Sequence, residues 1–127
     1  MPTDSRAGEP LSPPADGPTT TGEPPLVIDG VALEQQTFGE IRSGLPTLVF
    51  LHEGLGSVGL WRELPAKLVE VTELPALVYS RRGNGYSAPL DAPRTTDYMH
   101  VEAHRTLPAV LRSCGVDRPI LIGHSDG

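Results

Sequence analysis

Three short apolar runs, Thr47–Leu51, Ala76–Tyr79 and Ile120–Ile122, are separated from one another by stretches whose apolar residues recur at helical spacing. That order constrains the fold more than any other feature of the chain. A continuous apolar run of strand length suits a strand covered on both faces. Strands alternating with helices imply right-handed crossovers and a parallel sheet flanked by helices. The first intervening stretch offers Trp61, Leu64, Leu68 and Val71 as a buried stripe, with Ser57 as its cap and Pro65 breaking or restarting it. The second carries Leu107, Val110, Leu111 and Cys114 on one face, opened by Thr96 and stopped by Gly115. Ahead of them, Leu26–Ile28, the dipeptide Asp29-Gly30 and the partly alternating Val31–Phe38 predict an antiparallel hairpin.

Composition narrows what such a chain can do. Residues 1–25 hold half of the 14 prolines and almost no large apolar side chains, so they cannot bury enough surface to offset their ordering entropy. They read as a disordered leader, with a partial domain over 26–127. The net charge of -6 argues against a nucleic-acid or anionic-membrane partner. No run approaches a membrane span and no signal peptide is visible, so a reducing cytoplasm is the expected compartment. The single cysteine, Cys114, excludes an internal disulfide, and no Cys/His cluster offers a metal site. Gly83 and Gly85 lack the third glycine and acidic partner of a dinucleotide site, so nucleotide binding is not expected.

Gly123-His124-Ser125-Asp126-Gly127 follows the last apolar run and spells G-x-S-x-G. A serine on a tight strand-to-helix turn needs small residues two positions away on either side, because larger side chains would collide there. Lifted above the sheet in this way, the Ser125 hydroxyl could meet a histidine base on one side and a substrate carbonyl on the other. In open α/β sheets, ligands bind outside the carboxyl ends of the strands. Three distinctive segments occupy such ends: His52 to Ser57, Ser80 to Ser87, and Gly123 to Gly127.

These segments, in this order, resemble the α/β-hydrolase family from Leu26 to Gly127. Leu51-His52-Glu53-Gly54-Leu55-Gly56-Ser57 is similar to the family's His-Gly oxyanion loop, Ser80-Arg81-Arg82-Gly83-Asn84-Gly85-Tyr86-Ser87 to its D-x-R-G-x-G-x-S motif, and the pentapeptide at Ser125 to its nucleophile elbow. Two residues depart from the pattern: Glu53 stands where glycine is usual, and Ser80 where aspartate is. The resemblance implies the N-terminal part of the family's sheet, ending after the nucleophile strand. It further implies a serine hydrolase acting on a small-molecule acyl substrate, carboxylic esters first, through an acyl-enzyme. Ser125 would be the nucleophile, and the oxyanion donors would be the backbone amides of Asp126 and of Gly54 or Leu55. In this family the triad acid and histidine follow the serine in the chain.

Four histidines stand within the sequence as substitutes for that base. His124 would point away from Oγ, and His52 ends a strand and suits a role in holding the oxyanion loop. His100 and His104 lie four residues apart on a predicted helix, which reads as a solvated face rather than a metal site. Arg81 and Arg82 read as partners for loop carboxylates, and the Asp126 carboxylate as solvated or bonded to loop amides. The alternative to an esterase-like hydrolase is an inactive remnant of one that binds a ligand or a partner.

Overall fold

The computed structural model describes residues 23–127. The expected leader falls almost wholly outside them. Of its described residues, Glu23 accepts from the Thr37 N–H at 3.0 Å and Pro24 from Gln35 Nε2 at 3.0 Å.

Strands β1 (Leu26–Ile28) and β2 (Val31–Leu33) form the expected hairpin. Asp29 and Gly30 at its tip have φ of 51° and 78°, the left-handed pair that a two-residue turn of this twist requires. The long second arm expected to run to Phe38 does not form. The chain leaves the hairpin at Glu34 and begins β3 (Gln35–Phe38), which runs antiparallel to β5 (Ala76–Tyr79) in a separate sheet. Glu34 is fully buried, and its Oε1 accepts from the Ser80 hydroxyl at 2.9 Å and the Tyr86 N–H at 3.1 Å. A buried carboxylate must be held by donors, and those donors fix where the chain crosses between sheets.

The main sheet has the order β3–β5–β4–β6, with β4 (Thr47–Leu51) parallel both to β5 and to β6 (Pro119–Gly123). Strands β4 and β5 lie inside it, as their unbroken apolar runs require. Alternate side chains then build two cores. Val49, Leu77 and Tyr79 face the hairpin and Val110, while Leu48, Phe50, Ala76 and Val78 face Trp61, Leu68 and Val69. The outer strand β6 is less covered than a buried core strand should be, with Ile120 44% and Leu121 51% exposed, because nothing among the described residues pairs with its far edge.

The helices follow their sequence signals with four corrections. Ser57, expected to cap the first of them, is not its cap: Val58 precedes its 3-10 turn and Glu63 precedes the helix proper. A 3-10 turn (Gly59–Trp61) precedes α1 (Leu64–Thr72), where Pro65 occupies the first turn and so opens the helix, since its missing N–H has no helical partner there anyway. Val71, expected in the buried stripe, is 77% exposed, Leu64 is exposed too, and Val69 packs inward instead. The second helix starts at Tyr98, with Asp97 rather than Thr96 in the cap position. It runs through α2 (Tyr98–Val101), a π-helical turn (Glu102–Thr106) and α3 (Leu107–Cys114) with helical dihedrals at both joins. Pro108 accounts for the widened turn, because it offers no N–H and its ring crowds the preceding carbonyls. The stripe of Leu107, Val110, Leu111 and Cys114 packs on the sheet, and Gly115 ends the helix at φ 73°. No helix of the described residues is long and apolar enough to cross a membrane.

Candidate active site

The parallel strands β4, β5 and β6 end side by side, and three loops leave them on the same edge of the sheet. At the end of β6 the chain turns sharply. Ser125 has φ 60°, a left-handed conformation that costs a side-chain-bearing residue about 1–2 kcal/mol. The glycines on either side are there for space. A Cβ on Gly123 would come within 2.7 Å of the Gly127 carbonyl, and one on Gly127 would strike the carbonyl of Leu51 and approach that of His52 to 2.8 Å. The turn is held by the His124 N–H donating to the Leu51 carbonyl at 3.2 Å and the Gly127 N–H to that of His124 at 3.0 Å. Ser125 is exposed.

The loop after β4 folds back on itself. The Gly56 N–H donates to the Glu53 carbonyl at 2.8 Å, and Asn84 Nδ2 donates to the carbonyls of Gly54 and Gly56, both at 3.1 Å. Glu53, unusual at its position, has a visible use: its Oε1 accepts from the Leu55 N–H at 2.8 Å. That amide is therefore engaged. The N–H groups of Gly54 and Asp126 donate to no group among the described residues.

His52 is buried beneath this loop, with its two ring nitrogens in different roles. The Arg81 N–H donates to Nε2 at 2.9 Å, so Nε2 holds a lone pair and the proton sits on Nδ1, facing the Glu53 carbonyl at 2.6 Å. Burial lowers its pKa below the ordinary 6.5; the Glu53 carbonyl opposes this, Arg81 adds to it, and the charges of Asp126 and Glu53 oppose it. The folded chain thus binds this proton less readily than the unfolded chain does. Its contribution to stability is complete above about pH 6.5 and declines as pH falls through that value, until the folded imidazole also protonates. The urea midpoint is expected to fall between ~pH 7.5 and ~pH 5.5, and to fall less in a His52→Asn variant. Equal declines would remove His52 as a source of acid sensitivity.

Arg81, 7% exposed, joins the loops. Its Nη2 donates to Asp126 Oδ1 at 3.1 Å and to the His52 carbonyl at 3.3 Å. Asp126 Oδ2 accepts from the Tyr98 hydroxyl at 2.8 Å. The Tyr98 hydrogen bond and the Arg81 charge hold the Asp126 carboxyl below its ordinary range, and the same hydrogen bond raises Tyr98. The Asp126 carboxylate is thus bonded to two side chains rather than to loop amides. Arg82 takes the expected loop carboxylate, Asp91, at 3.4 Å. Tyr98 had no sequence signal, because its partner lies 28 residues further along the chain.

Two clefts flank the turn. One of about 310 Å³ is bordered by Leu51, Tyr79, Arg81, Glu102, Leu121 and Asp126. Burial raises the Glu102 carboxyl there, and among the described residues its Oε1 and the Arg81 Nε have no hydrogen-bond partner. The other, about 110 Å³, lies between Glu53, Leu60, Trp61 and His124. The His124 ring stands edge-on to Trp61 at 6.4 Å. His100 and His104 stack on the exposed helix surface at 6.3 Å, and no group of three or more potential metal ligands occurs among the described residues.

No family model matches the sequence, and no curated protein does. Solved structures do match. An alpha/beta hydrolase fold protein from Burkholderia ambifaria is 23% identical with a TM-score of 0.66, over 81% of this chain and 34% of its own. The enol-lactonase from Burkholderia xenovorans LB400 is 20% identical with a TM-score of 0.65, over 79% of this chain and 36% of its own. Est816, described as an N-acyl homoserine lactone degrading enzyme, is 27% identical with a TM-score of 0.64, over 81% and 36%. This chain spans about a third of each. With its strand order, its antiparallel entry strand and its three loops at one sheet edge, it belongs among the proteins of α/β-hydrolase fold and carries the N-terminal part of their sheet.

Proposed function

We propose that the chain is the nucleophile-bearing part of a serine hydrolase acting on carboxylic esters or related acyl compounds. Ser125 Oγ attacks the acyl carbon and passes its proton to a base. The alcohol leaves with a proton as the acyl-enzyme forms, and water then releases the acid and restores the serine. The amides of Gly54 and Asp126, which have no other partner among the described residues, hold the oxyanion. One such donor is worth about 3 kcal/mol in the transition state, because it is already oriented where charge develops. Leu55 is the weaker candidate, since the Glu53 carboxylate occupies its N–H.

The observation that carries this reading is Ser125 itself, exposed at φ 60° between two glycines whose backbones leave no room for a Cβ. The lactone chemistry named for two of the similar structures supports an acyl substrate. The base, as the resemblance to the α/β-hydrolase family implies, is a histidine that follows the serine in the chain, and none of the four histidines present is placed to substitute for it. His52 has both nitrogens engaged, His124 packs on Trp61, and His100 and His104 face outward from the helix. No metal or organic cofactor takes part in the proposed reaction.

Fluorophosphonate labelling tests the proposal, with the 127-residue chain, its Ser125→Ala variant and a form extended along the downstream reading frame side by side. Labelling of the extended form that Ser125→Ala abolishes is the expected result. Labelling of neither form, with both folded, would leave a binding remnant as the better reading. Labelling that survives Ser125→Ala would move the nucleophile elsewhere.

A further inference from the structure

Arg81 touches all three loops at the sheet edge. Its guanidinium bonds Asp126 in the elbow and the His52 carbonyl in the loop after β4, and its own backbone N–H bonds the His52 ring. Being largely out of water, this cation needs a counter-charge, and Asp126 supplies it. The Asp126 carboxylate is then held at both ends, Oδ1 by Arg81 and Oδ2 by the Tyr98 hydroxyl. A Cβ placed on Gly54 would lie 3.4 Å from that same Oδ2, so the side chain reaches across the elbow to the opposite loop.

A carboxylate fixed at both oxygens restrains the rotation of the peptide that carries it. That peptide joins Ser125 to Asp126, and its N–H is one of the two unengaged amides at the site. We propose that Arg81 and Tyr98 are positioning residues: by clamping the Asp126 side chain they hold its backbone N–H in the direction an oxyanion needs. This rests on the serine-hydrolase reading and adds to it a device that ties helix α2 to the elbow.

The geometry makes the clamp a unit, so its members should act non-additively. Tyr98→Phe keeps the ring and its contact with Arg94, and removes only the hydroxyl. In the form of the protein that labels, Tyr98→Phe is expected to slow the limiting rate of fluorophosphonate modification about tenfold, the scale of one hydrogen bond to a charged group. Probe affinity should stay within about twofold. Asp126→Asn should slow the reaction by a similar factor, and Tyr98→Phe should add little in that background. Arg81→Lys should recover part of the rate lost in Arg81→Met. A wild-type rate in Tyr98→Phe, or two losses that simply multiply, would overturn the clamp.

A second readout separates this proposal from the reading beneath it. The 15N order parameter of the Asp126 amide, from NMR relaxation of the folded chain, is expected to fall below the rigid-backbone range of about 0.85 in Tyr98→Phe whether or not any form labels. A fall without labelling would keep the clamp and reject the hydrolase. An unchanged order parameter would reject the clamp.

Discussion

Gly85→Ala is expected to lower the unfolding free energy by about 3 kcal/mol or more, one of the larger losses a single methyl group can cause in this chain. Gly85 has φ 54°, so any side chain is strained there before contacts are counted. The contacts are worse. An added Cβ would lie 2.5 Å from Glu34 Oε1, 2.7 Å from Ser80 Oγ and 2.9 Å from Ser57 Cβ. Glu34 and Ser80 cannot retreat separately, since they are fully buried and bonded to each other at 2.9 Å. They are also tied to the Tyr86 and Val58 N–H groups, at 3.1 and 2.8 Å. Moving either strips a buried donor of its acceptor, which costs about 1–3 kcal/mol for each group left unpaired. Gly30→Ala is the control. Its φ is 78° but nothing lies within 4 Å of the added Cβ, so only the backbone strain of about 1 kcal/mol should appear. Urea unfolding compares the two. Equal losses would mean that the crowding around Gly85 is relieved by movement and that strain alone matters.

That network also marks the limit of what could be read in the sequence. The strands Thr47–Leu51 and Ala76–Tyr79 and the stripe on α3 were legible because they depend on local spacing, and the structure keeps them. Which sheet a strand joins is a pairing between distant residues. Val31–Phe38 therefore read as one arm, although the partners that divide it at Glu34 are Ser80 and Tyr86, 46 and 52 residues away. Val71 fits a helical stripe but falls on the uncovered side of α1, something only packing decides. The elbow was legible for a similar reason: two glycines about a serine are a local steric statement. The ties that hold it are not local. Arg81 meets Asp126 across 45 residues and Tyr98 meets it across 28, and neither spacing has a pattern. Glu53 read as a departure from the expected loop, and only in the folded chain does its carboxylate close that loop on Leu55.

Ser80, the other departure, leads to the second large effect: Ser80→Asp should cost about 3 kcal/mol at neutral pH, and Glu34→Gln should recover most of that loss. The Ser80 hydroxyl donates to Glu34 Oε1 at 2.9 Å while its oxygen accepts the Val58 N–H at 2.8 Å. An aspartate could still accept from Val58, but it would set a second carboxyl against Glu34 inside the protein. Two carboxyl groups this close cannot both ionise, so one must hold a proton at a pH where the unfolded chain has released it. A raised carboxyl pKa in the folded state means that stability is lost as pH rises above the unfolded value and regained as pH falls toward it. The variant is therefore expected to gain on the parent in acid, opposite in sign to the His52 effect. In Ser80→Asp with Glu34→Gln, an amide faces the new carboxylate and can donate to it, so the repulsion disappears. A double-mutant cycle on urea unfolding should show a coupling above about 1.5 kcal/mol. Additive losses, with no pH-dependent difference from the parent, would show that the pocket relaxes to separate the two groups. The choice of serine at 80 would then need a reason other than Glu34.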